Sequence, residues 1–410
     1  MKLTRVFAFM ALAGLAGSAY ATNGYFGHGY GMKAKGMAGA ATASSDDAFG
    51  GANNPASMAF AGNRLDLGVD LFSPRREATM GNWFGPGMDA TVDSESNYFL
   101  IPEFGYNRMV NNNLALGVTV YGNGGMNTDY PEVMPGVNLF GEAGSLGVDL
   151  MQLIVAPTAA YKIAPGHSIG ISPLLGYQRF KAEGLGGPTD SYDSAFGYGV
   201  RVGYMGKIAP TVTVGAAYAS KMNFEEFDKY NWLFAEQGDF DIPENYNLGV
   251  AWQATPAVKL ALDYQRINFS KVNSVGNPAG SPGGPGASDA PGFGWDDAKV
   301  WKLGMEYKYS PKLTLRAGYS HTNSPIKGAS LADCMAGSEN CGEVTMNILA
   351  PAVIENHATL GFTYTLASGN EVTMAYMHAF ENEVSGVGLF GTDTIKMYQN
   401  SLGIQYSWKM

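Results

Sequence analysis

The chain has 410 residues, of which 46% are hydrophobic, 12% aromatic and 15% charged. Its 36 acidic side chains outnumber its 26 basic ones, which argues against nucleic acid as a partner because the phosphates would be repelled. Only two cysteines and five histidines occur, and their spacing indicates neither a metal centre nor a bound cofactor.

The first 21 residues are typical of an export signal that is removed from the mature protein. A short basic start precedes the apolar run 6–15, which is too short to cross a bilayer as a helix. Ala19 and Ala21 supply the small residues that signal peptidase requires. We therefore expect a signal peptide at 1–21 and a mature chain that begins at Thr22; a retained membrane anchor is the alternative.

Residues 22–62 precede the first regular pattern of the chain. They are rich in Gly, Ala, Ser and Asn and show no sustained alternation. Their side chains are too small to form a separate core, so we expect this segment to plug the space that the rest of the chain encloses. A flexible periplasmic tail is the alternative interpretation.

From residue 63 onwards, apolar and polar side chains alternate with a period of two, which is typical of β-strands. Residues 65–71, 301–309 and 402–408 are examples. Such segments are about ten residues long, the length that a tilted transmembrane strand requires. The pattern predicts an all-β fold, a transmembrane antiparallel β-barrel formed by residues 63–410.

The connections between these segments alternate strictly between short and long. Short connections are expected at residues 110–113, 163–166, 208–210, 255–257, 310–311 and 368–370. Long connections are expected near residues 73–95, 122–151, 180–191, 223–241, 270–294, 324–352 and 385–393. Tight periplasmic turns and large outer loops are typical of a bacterial outer-membrane barrel. Counting the segments between them predicts about fourteen strands.

Two of the long connections are unusually apolar for loops in water. The candidate residues for hydrophobic capture are Phe224, Phe227, Trp232, Leu233 and Phe234 in one loop, and Leu139 and Phe140 in another. Exposed apolar surface of this size indicates a binding site. The alternative is that the two loops pack on each other and cap the barrel.

Arg201 and Arg316 occupy inward positions of their strands by alternation. A guanidinium group binds a carboxylate through two parallel hydrogen bonds, so either arginine is a candidate partner for an acidic ligand. The alternative is that both neutralise carboxylates of the lumen.

Cys334 and Cys341 lie seven positions apart in a polar stretch. An exported protein meets an oxidising compartment, so we expect a local disulfide that clips a loop. No histidine lies nearby, which makes a metal site the weaker interpretation.

The leading segment carries three motifs directly before the first strand. They are Gly36-Met37-Ala38-Gly39-Ala40, Asp46-Asp47-Ala48 and Asn53-Asn54-Pro55-Ala56-Ser57-Met58. A second set follows later in the chain, namely Trp295-Asp296-Asp297, Leu315-Arg316-Ala317-Gly318-Tyr319 and Ser324-Pro325-Ile326. In the order of these motifs the chain resembles the FadL-type family of outer-membrane transporters for long-chain fatty acids and other hydrophobic compounds.

This resemblance implies a monomeric fourteen-stranded barrel in the outer membrane of a Gram-negative bacterium. It implies a plug, or hatch, that carries Asp46, Asp47, Asn54, Pro55 and Ala56. The expected partners are a hydrophobic small molecule, outer-membrane lipid and lipopolysaccharide, and the insertion machinery. The family transports rather than catalyses, so no enzymatic activity is expected.

The resemblance also implies that cargo passes from the outer loops to a lumen pocket and leaves sideways at a kink in the third strand. The kink is expected at Gly122, Asn123, Gly124 and Gly125, because alternation fails there and glycine permits a local bend. A simple strand-to-loop turn is the alternative. The alternative functions are a general diffusion porin and an aromatic-hydrocarbon-specific channel.

Overall fold

A computed structural model describes residues 23–410, so the predicted signal peptide lies outside the described chain. Fourteen strands form one antiparallel sheet. They are β1 Arg64–Gly85, β2 Phe99–Met109, β3 Leu114–Tyr130, β4 Leu146–Ala164, β5 His167–Glu183, β6 Asp193–Ala209, β7 Val212–Ala219, β8 Asn245–Gln253, β9 Val258–Ile267, β10 Ala298–Lys308, β11 Leu313–Thr322, β12 Asn356–Thr365, β13 Glu371–Val387 and β14 Thr392–Lys409.

The sheet closes because β14 pairs with β1 as well as with β13. The closing register joins Arg64 to Lys409 at one end and Thr79 to Thr394 at the other. Two further strands lie outside this ring: Met88–Asp93 folds back on the outer end of β1, and Asn223–Phe224 pairs with β6. The predicted fourteen-stranded barrel is confirmed.

The helices of the described chain are short. The α-helices are α1 Met32–Lys35, α2 Asn273–Gly276, α3 Leu331–Met335 and α4 Glu343–Met346, and the 3₁₀ helices are Pro55–Ala59, Asp228–Tyr230 and Phe269–Lys271. Between residues 23 and 410, no helix has the length and apolar character needed to cross a membrane.

The strands present apolar side chains outwards and polar ones inwards. In β10, Lys302 and Glu306 are buried in the lumen, whereas Trp301, Leu303 and Met305 on the opposite face are 53%, 54% and 42% exposed. In water this arrangement would be inverted. Apolar residues face out here because the barrel is solvated by lipid and its backbone groups are paired within the ring.

Aromatic side chains lie near both ends of the outward face. Those at the periplasmic end include Trp252, Tyr307, Tyr309, Tyr364 and Trp408, and those at the outer end include Phe196, Tyr198, Tyr319, Tyr376 and Tyr398. Such rings favour the membrane–water interface, where one side is apolar and the other wet. The two aromatic belts therefore mark the limits of the membrane-spanning band.

Several strands extend well beyond the positions where the sequence pattern places loops. β1 runs to Gly85, β3 to Tyr130 and β13 to Val387, whereas loops were expected to begin near residues 73, 122 and 385. The alternation fades once the strand leaves the lipid, but the backbone ladder continues because the neighbouring strand is still alongside. Leu146, Val148 and Leu150, expected in a loop, are buried residues of β4.

Candidate functional site

The leading segment, residues 23–62, is bound by strands on every side of the ring. Its backbone and side chains form hydrogen bonds with Asp66 of β1, Glu103 of β2, Thr119 of β3, Ser168 of β5, Arg201 of β6, Asp263 of β9, Lys302 of β10, Thr359 of β12 and Gln405 of β14. A segment that touches strands all round a closed barrel lies inside it.

The Asn-Pro-Ala motif of this segment packs tightly against the wall. The Asn54 side chain accepts a hydrogen bond from the Ala56 N–H and donates to the Thr42 and Tyr204 carbonyl oxygens, at 2.7 and 3.0 Å. Pro55 begins the 3₁₀ helix, where its missing N–H costs nothing. A Cβ on Gly170 of β5 would lie 2.4 Å from the Pro55 carbonyl carbon, so the wall needs glycine there.

Both carboxylates of the Asp-Asp motif have partners within the leading segment. Asp46 forms an ion pair with Lys33 at 3.0 Å, and the Asp47 carboxylate accepts a hydrogen bond from the backbone N–H of Phe49 at 3.1 Å. Deeper in the lumen, Lys35 binds both Asp70 and Glu103 at 2.8 and 3.1 Å. The two ion pairs of Lys35 hold the leading segment to the barrel wall.

The two arginines expected to bind an acidic ligand are engaged by protein groups. Arg316 pairs with Glu306 at 2.7 Å and donates to the Thr363 hydroxyl. Arg201 donates to the carbonyl oxygens of Gly51 and Ala52, which belong to the leading segment. Arg316 therefore neutralises a lumen carboxylate, as the alternative interpretation expects, whereas Arg201 holds backbone carbonyl groups of the leading segment.

The third strand carries a bulge at the expected glycines. The pairing of β3 with β4 shifts register between Gly122 and Gly124, which leaves Asn123 as the extra residue. The pairing of β3 with β2 stops at Val120, opposite Phe104, although β3 continues to Tyr130. The bulge therefore bends β3 away from β2 and leaves the barrel wall unpaired at this point.

This unpaired stretch, the wall gap, lies between residues 99–103 of β2 and residues 121–128 of β3. It closes again towards the outside, where the Glu95 N–H donates to the Asp129 carbonyl oxygen at 2.8 Å. The Asp129 N–H also donates to the Ser94 hydroxyl at 3.0 Å. The gap is thus bounded above and below by hydrogen-bonded backbone.

The start of the leading segment binds the inner side of the bulge. Gly27 N–H donates to the Asn123 carbonyl at 3.2 Å, and Gly125 N–H donates to the Tyr25 carbonyl at 3.3 Å. A Cβ on Gly124 would lie only 1.6 Å from the Tyr25 oxygen. Glycine at this position is therefore required by the close approach of a second backbone.

A small cavity lies beside this contact. Its apolar lining comes from Tyr25, Phe72, Met126, Trp295 and Met397, and from residues 350–352 of an outer connection. One cation, Arg76 of β1, also lines it; the side chain is only 4% exposed, and within the described chain its Nε has no hydrogen-bond partner. Arg76 is not among the residues expected from the sequence, because a loop was expected from residue 73, although the inward-facing alternation of β1 extends to it.

A family model described as outer membrane protein transport protein (OMPP1/FadL/TodX) matches residues 13–387, which is most of the sequence. The chain belongs to the OMPP1/FadL/TodX family. It is therefore a transport protein of the Gram-negative outer membrane, as the motifs indicate.

Three solved structures share the barrel of this OMPP1/FadL/TodX protein. The toluene transporter TodX of P. putida has 17% identity and a TM-score of 0.69 over 93% of this chain and 99% of its own. A FadL homologue of Pseudomonas aeruginosa has 15% identity and a TM-score of 0.69, over 94% and 99%. The Ralstonia pickettii toluene transporter TbuX has 17% identity and a TM-score of 0.66, over 93% and 99%. Curated protein sequences contain no match.

The outer loops of this OMPP1/FadL/TodX protein bury the aromatic residues that were expected to form an exposed capture surface. Phe224, Phe227 and Phe234 are at most 8% exposed, and Trp232 and Leu233 pack against the same cluster. Phe180 of β5 stands among them, with its ring centre 4.7 Å from Tyr230 and 4.8 Å from Phe234. The expectation of exposure is wrong because the neighbouring strand supplies a partner for this loop.

The candidate residues of the second loop are also packed against the apolar cluster. Leu139 is 1% exposed, and Phe140 packs against the cluster that contains it. The two loops thus contribute to one apolar core above the barrel. The burial of these residues agrees with the alternative interpretation, in which the two loops pack on each other and cap the barrel.

The connection between β11 and β12 contains the expected disulfide, Cys334–Cys341. It links α3 to the chain that precedes α4. Ser330 and Asp333 cap α3 reciprocally, since the Ser330 side chain accepts the Asp333 N–H and the Asp333 side chain accepts the Ser330 N–H. The bond therefore clips a short capped helix in an outer loop.

Two carboxyl groups of the outer loops have raised pKa values. Glu343 of α4 accepts the Lys327 N–H at 2.8 Å through Oε1, while Oε2 lacks a partner among the described residues, and burial raises the pKa of this carboxyl to about 7. Burial, reinforced by the nearby charge of Asp241, raises the pKa of Asp239 to about 8.

Proposed function

We propose that this protein takes up long-chain fatty acids and related hydrophobic acids by passive diffusion through the lumen, with lateral release into the membrane. The observation that carries the proposal is the apolar cavity with one buried guanidinium group, which lies directly inside the wall gap of β3.

The apolar lining supports capture without an energy source. Burial of each CH₂ group of a cargo tail contributes about 0.8 kcal/mol, so a long acyl chain partitions from water into such a site unaided. The aromatic and methionine side chains around the cavity adapt to chains of different shape. Transport is then driven by the concentration of cargo outside.

Arg76 favours cargo with an acidic head group over an uncharged hydrocarbon. A buried, incompletely paired cation is costly unless an anion accompanies it. A carboxylate accepts two parallel hydrogen bonds from guanidinium, and one donor of Arg76, Nε, is available within the described chain. A toluene-like cargo would leave this Nε donor without a partner within the described chain.

The wall gap supports sideways release, with the leading segment as the hatch. Residues 25–27 occupy the inner side of the bulge through two backbone hydrogen bonds, which form an isolated antiparallel bridge between Phe26 and Gly124. Their withdrawal would connect the cavity with the gap and hence with the lipid. The hydrophobic cargo then never enters the aqueous periplasm. Because one barrel contains the whole route, we propose that the protein acts as a monomer.

The experiment compares binding of an 18-carbon fatty acid, the matching alcohol and toluene to the purified protein in lipid nanodiscs. For Arg76→Met we expect roughly tenfold to hundredfold weaker binding of the acid and unchanged binding of the alcohol, because one charge-assisted pair is lost while the apolar lining stays.

The control is Arg75→Met, since Arg75 is the next residue but faces outwards and bonds to the Tyr98 hydroxyl at 2.7 Å. It should leave all three affinities unchanged. If wild-type protein binds toluene and the alcohol but not the acid, the cargo is a neutral hydrocarbon and the proposed acid specificity is refuted.

A further inference from the structure

A cluster of three polar side chains lies on the outward face of the barrel, at the level of the outer aromatic belt. The hydroxyl of Tyr319 and Nδ1 of His321, both in β11, lie 2.6 and 2.9 Å from Oδ1 of Asn356 in β12. An amide oxygen only accepts hydrogen bonds, so the tyrosine and the imidazole are both donors here. The amide nitrogen of Asn356 and Nε2 of His321 then remain for a partner outside the barrel.

The next pair of strands repeats this arrangement. The hydroxyl of Tyr376 and Nδ1 of His378, both in β13, lie 2.6 and 3.0 Å from Oδ1 of Asn400 in β14. The Phe380 ring packs edge-on against the His378 ring, with the ring centres 5.0 Å apart, and limits its rotation. A Tyr-x-His pair with an asparagine on the neighbouring strand therefore occurs twice, on strand pairs that lie side by side.

The strand register places a notch between the two clusters. One outward row contains Tyr319 of β11, Ala358 of β12, His378 of β13 and Asn400 of β14. Neighbouring strands lie about 4.8 Å apart, so Tyr319 and His378 are about 10 Å apart at the backbone, and the side chain between them is the methyl group of Ala358. We call the space outside Ala358 the rim notch.

Polar groups border the rim notch towards the outside, and apolar groups border it towards the membrane. Asn356 lies two residues outwards from Ala358 on the same face of β12, and it pairs in register with His321. Leu360 lies two residues the other way, is 63% exposed and pairs in register with Tyr376. The notch therefore joins hydrogen-bond donors to the lipid-facing apolar surface.

The donors around the rim notch favour an anion. Each cluster offers an amide nitrogen and an imidazole nitrogen, and the latter donates when it is protonated. The carboxylates that adjoin the clusters have partners, since Glu355 accepts the Ser324 N–H at 3.2 Å and Glu381 lies 3.7 Å from Lys396. A phosphate group accepts several hydrogen bonds at once and attracts an imidazolium, so it fits these donors better than a neutral hydroxyl does.

We propose that the rim notch binds a phosphate group of lipopolysaccharide, the phosphorylated acyl lipid of the outer leaflet. The aromatic belt puts the notch at the depth of the lipid head groups. Leu360 and Leu402, which is 48% exposed, provide apolar contacts for acyl chains beneath the notch, and a free phosphate ion would leave this surface unused. The site lies outside the barrel, so it is independent of the proposed cargo route.

The test uses native mass spectrometry of the purified protein with lipid A, the phosphorylated acyl part of lipopolysaccharide, and with lipid A from which the phosphates have been removed. We expect wild-type protein to bind lipid A about tenfold or more tightly than the dephosphorylated form, because charge-assisted hydrogen bonds are lost with the phosphates. Excess inorganic phosphate should leave the complex intact, since it offers no acyl chain to the apolar surface.

The double variant Asn356→Asp/Asn400→Asp changes the clusters without removing their internal bonds. Each aspartate still accepts from its tyrosine and histidine, whereas the two amide donors are replaced by negative charge. We expect this variant to lose the preference for the phosphorylated lipid. Ala358→Leu fills the notch with a side chain that suits a lipid-facing position, and it should weaken binding of lipid A by about tenfold or more.

Two matched controls lie elsewhere on the wall. His167 Nδ1 lies 2.8 Å from the Tyr204 hydroxyl, in a histidine–tyrosine contact at the periplasmic end of the barrel, away from the outer leaflet. His167→Gln should therefore bind lipid A as wild-type protein does. Ala159→Leu adds the same bulk to an outward position of β4, beside Leu116 and Ile171, and should also have no effect.

The inference is overturned if wild-type protein binds the two forms of lipid A equally, or if the aspartate variant keeps the preference. Displacement of lipid A by inorganic phosphate would assign the notch to a free anion and would also overturn it. These outcomes leave the proposed function standing, because the cargo cavity lies inside the lumen.

Discussion

Glu343 illustrates how single buried charges organise the outer loops. Its side chain is fully buried, and only one of its oxygen atoms has a partner within the described chain. A Cβ on Gly294 would lie 2.6 Å from the Glu343 carboxyl carbon, so this loop approaches α4 closely. The neighbouring charges are those of Lys327 and Asp296. The carboxyl group thus lies where the two connections meet.

Because burial raises the pKa of Glu343 from 4.5 to about 7, the folded loops bind its proton more tightly than the unfolded chain does. Stability of this region should therefore fall as pH rises from about 4.5 to about 7, and remain constant above that range. We expect amide hydrogen exchange of residues 324–352 to accelerate between pH 5 and pH 8, after correction for intrinsic rates.

Glu343→Gln should abolish this pH dependence, because the amide still accepts the Lys327 N–H but does not ionise. The exchange rates of residues 324–352 in the variant should match those of wild-type protein at pH 5. An equal pH dependence in both proteins would show that another group controls these loops.

At the scale of elements, the bulge in β3 and the start of the leading segment form one unit. The bulge needs glycine because the Tyr25 carbonyl lies where a side chain would stand. The same residue, Tyr25, packs edge-on against Phe269 at 5.2 Å and lines the cavity. The backbone contact and the cavity wall are therefore changed together when this segment moves.

Gly124→Ala should displace residues 25–27 from the bulge while β3 stays paired with β4. We expect faster hydrogen exchange at the amide groups of Gly27 and Gly125, by about tenfold or more, since losing one hydrogen bond costs about 1–3 kcal/mol when it is buried. Cargo should leave the cavity faster in the same variant.

The matched control is Gly68→Ala in β1, where the nearest atom to an added Cβ is an ordinary 3.5 Å away. This variant should behave as wild-type protein does. Unchanged exchange in Gly124→Ala would contradict the role given to the close approach.

At the scale of the molecule, the leading segment contacts strands all round the barrel, and we predict that it restricts the passage of ions. Lys35 is central to this arrangement because it is 2% exposed and pairs with Asp70 and Glu103. Removing one member of a buried ion pair destabilises its surroundings by about 3–5 kcal/mol. The segment is therefore expected to loosen when this cation is lost.

In planar bilayers, wild-type protein should conduct ions far less than an open porin, and Lys35→Met should raise the conductance several-fold. Lys327→Met is the control, because its partner Asp296 lies 2.8 Å away in an exposed pair, worth about 0–1 kcal/mol. A large steady conductance of wild-type protein would favour the general diffusion porin.

The alternation of apolar and polar side chains was sufficient to predict the barrel. It shows which face of each strand meets lipid, and it can be recognised in one strand without knowledge of the others. The family resemblance implied a kink in the third strand, and the glycine run at 122–125, which breaks the pattern, indicated its place. The family motifs identified the segment that the wall surrounds.

Tertiary contacts determine which apolar residues are exposed and which cations are paired. Phe227 and Phe234 are buried because Phe180 of another strand packs on them, and Arg316 is engaged because Glu306 stands opposite in register. The residue pattern of a single strand cannot predict such pairings, because each depends on a partner that is distant in sequence. For the same reason, the place of Arg76 on the barrel wall is clear only when β1 is seen beside β14.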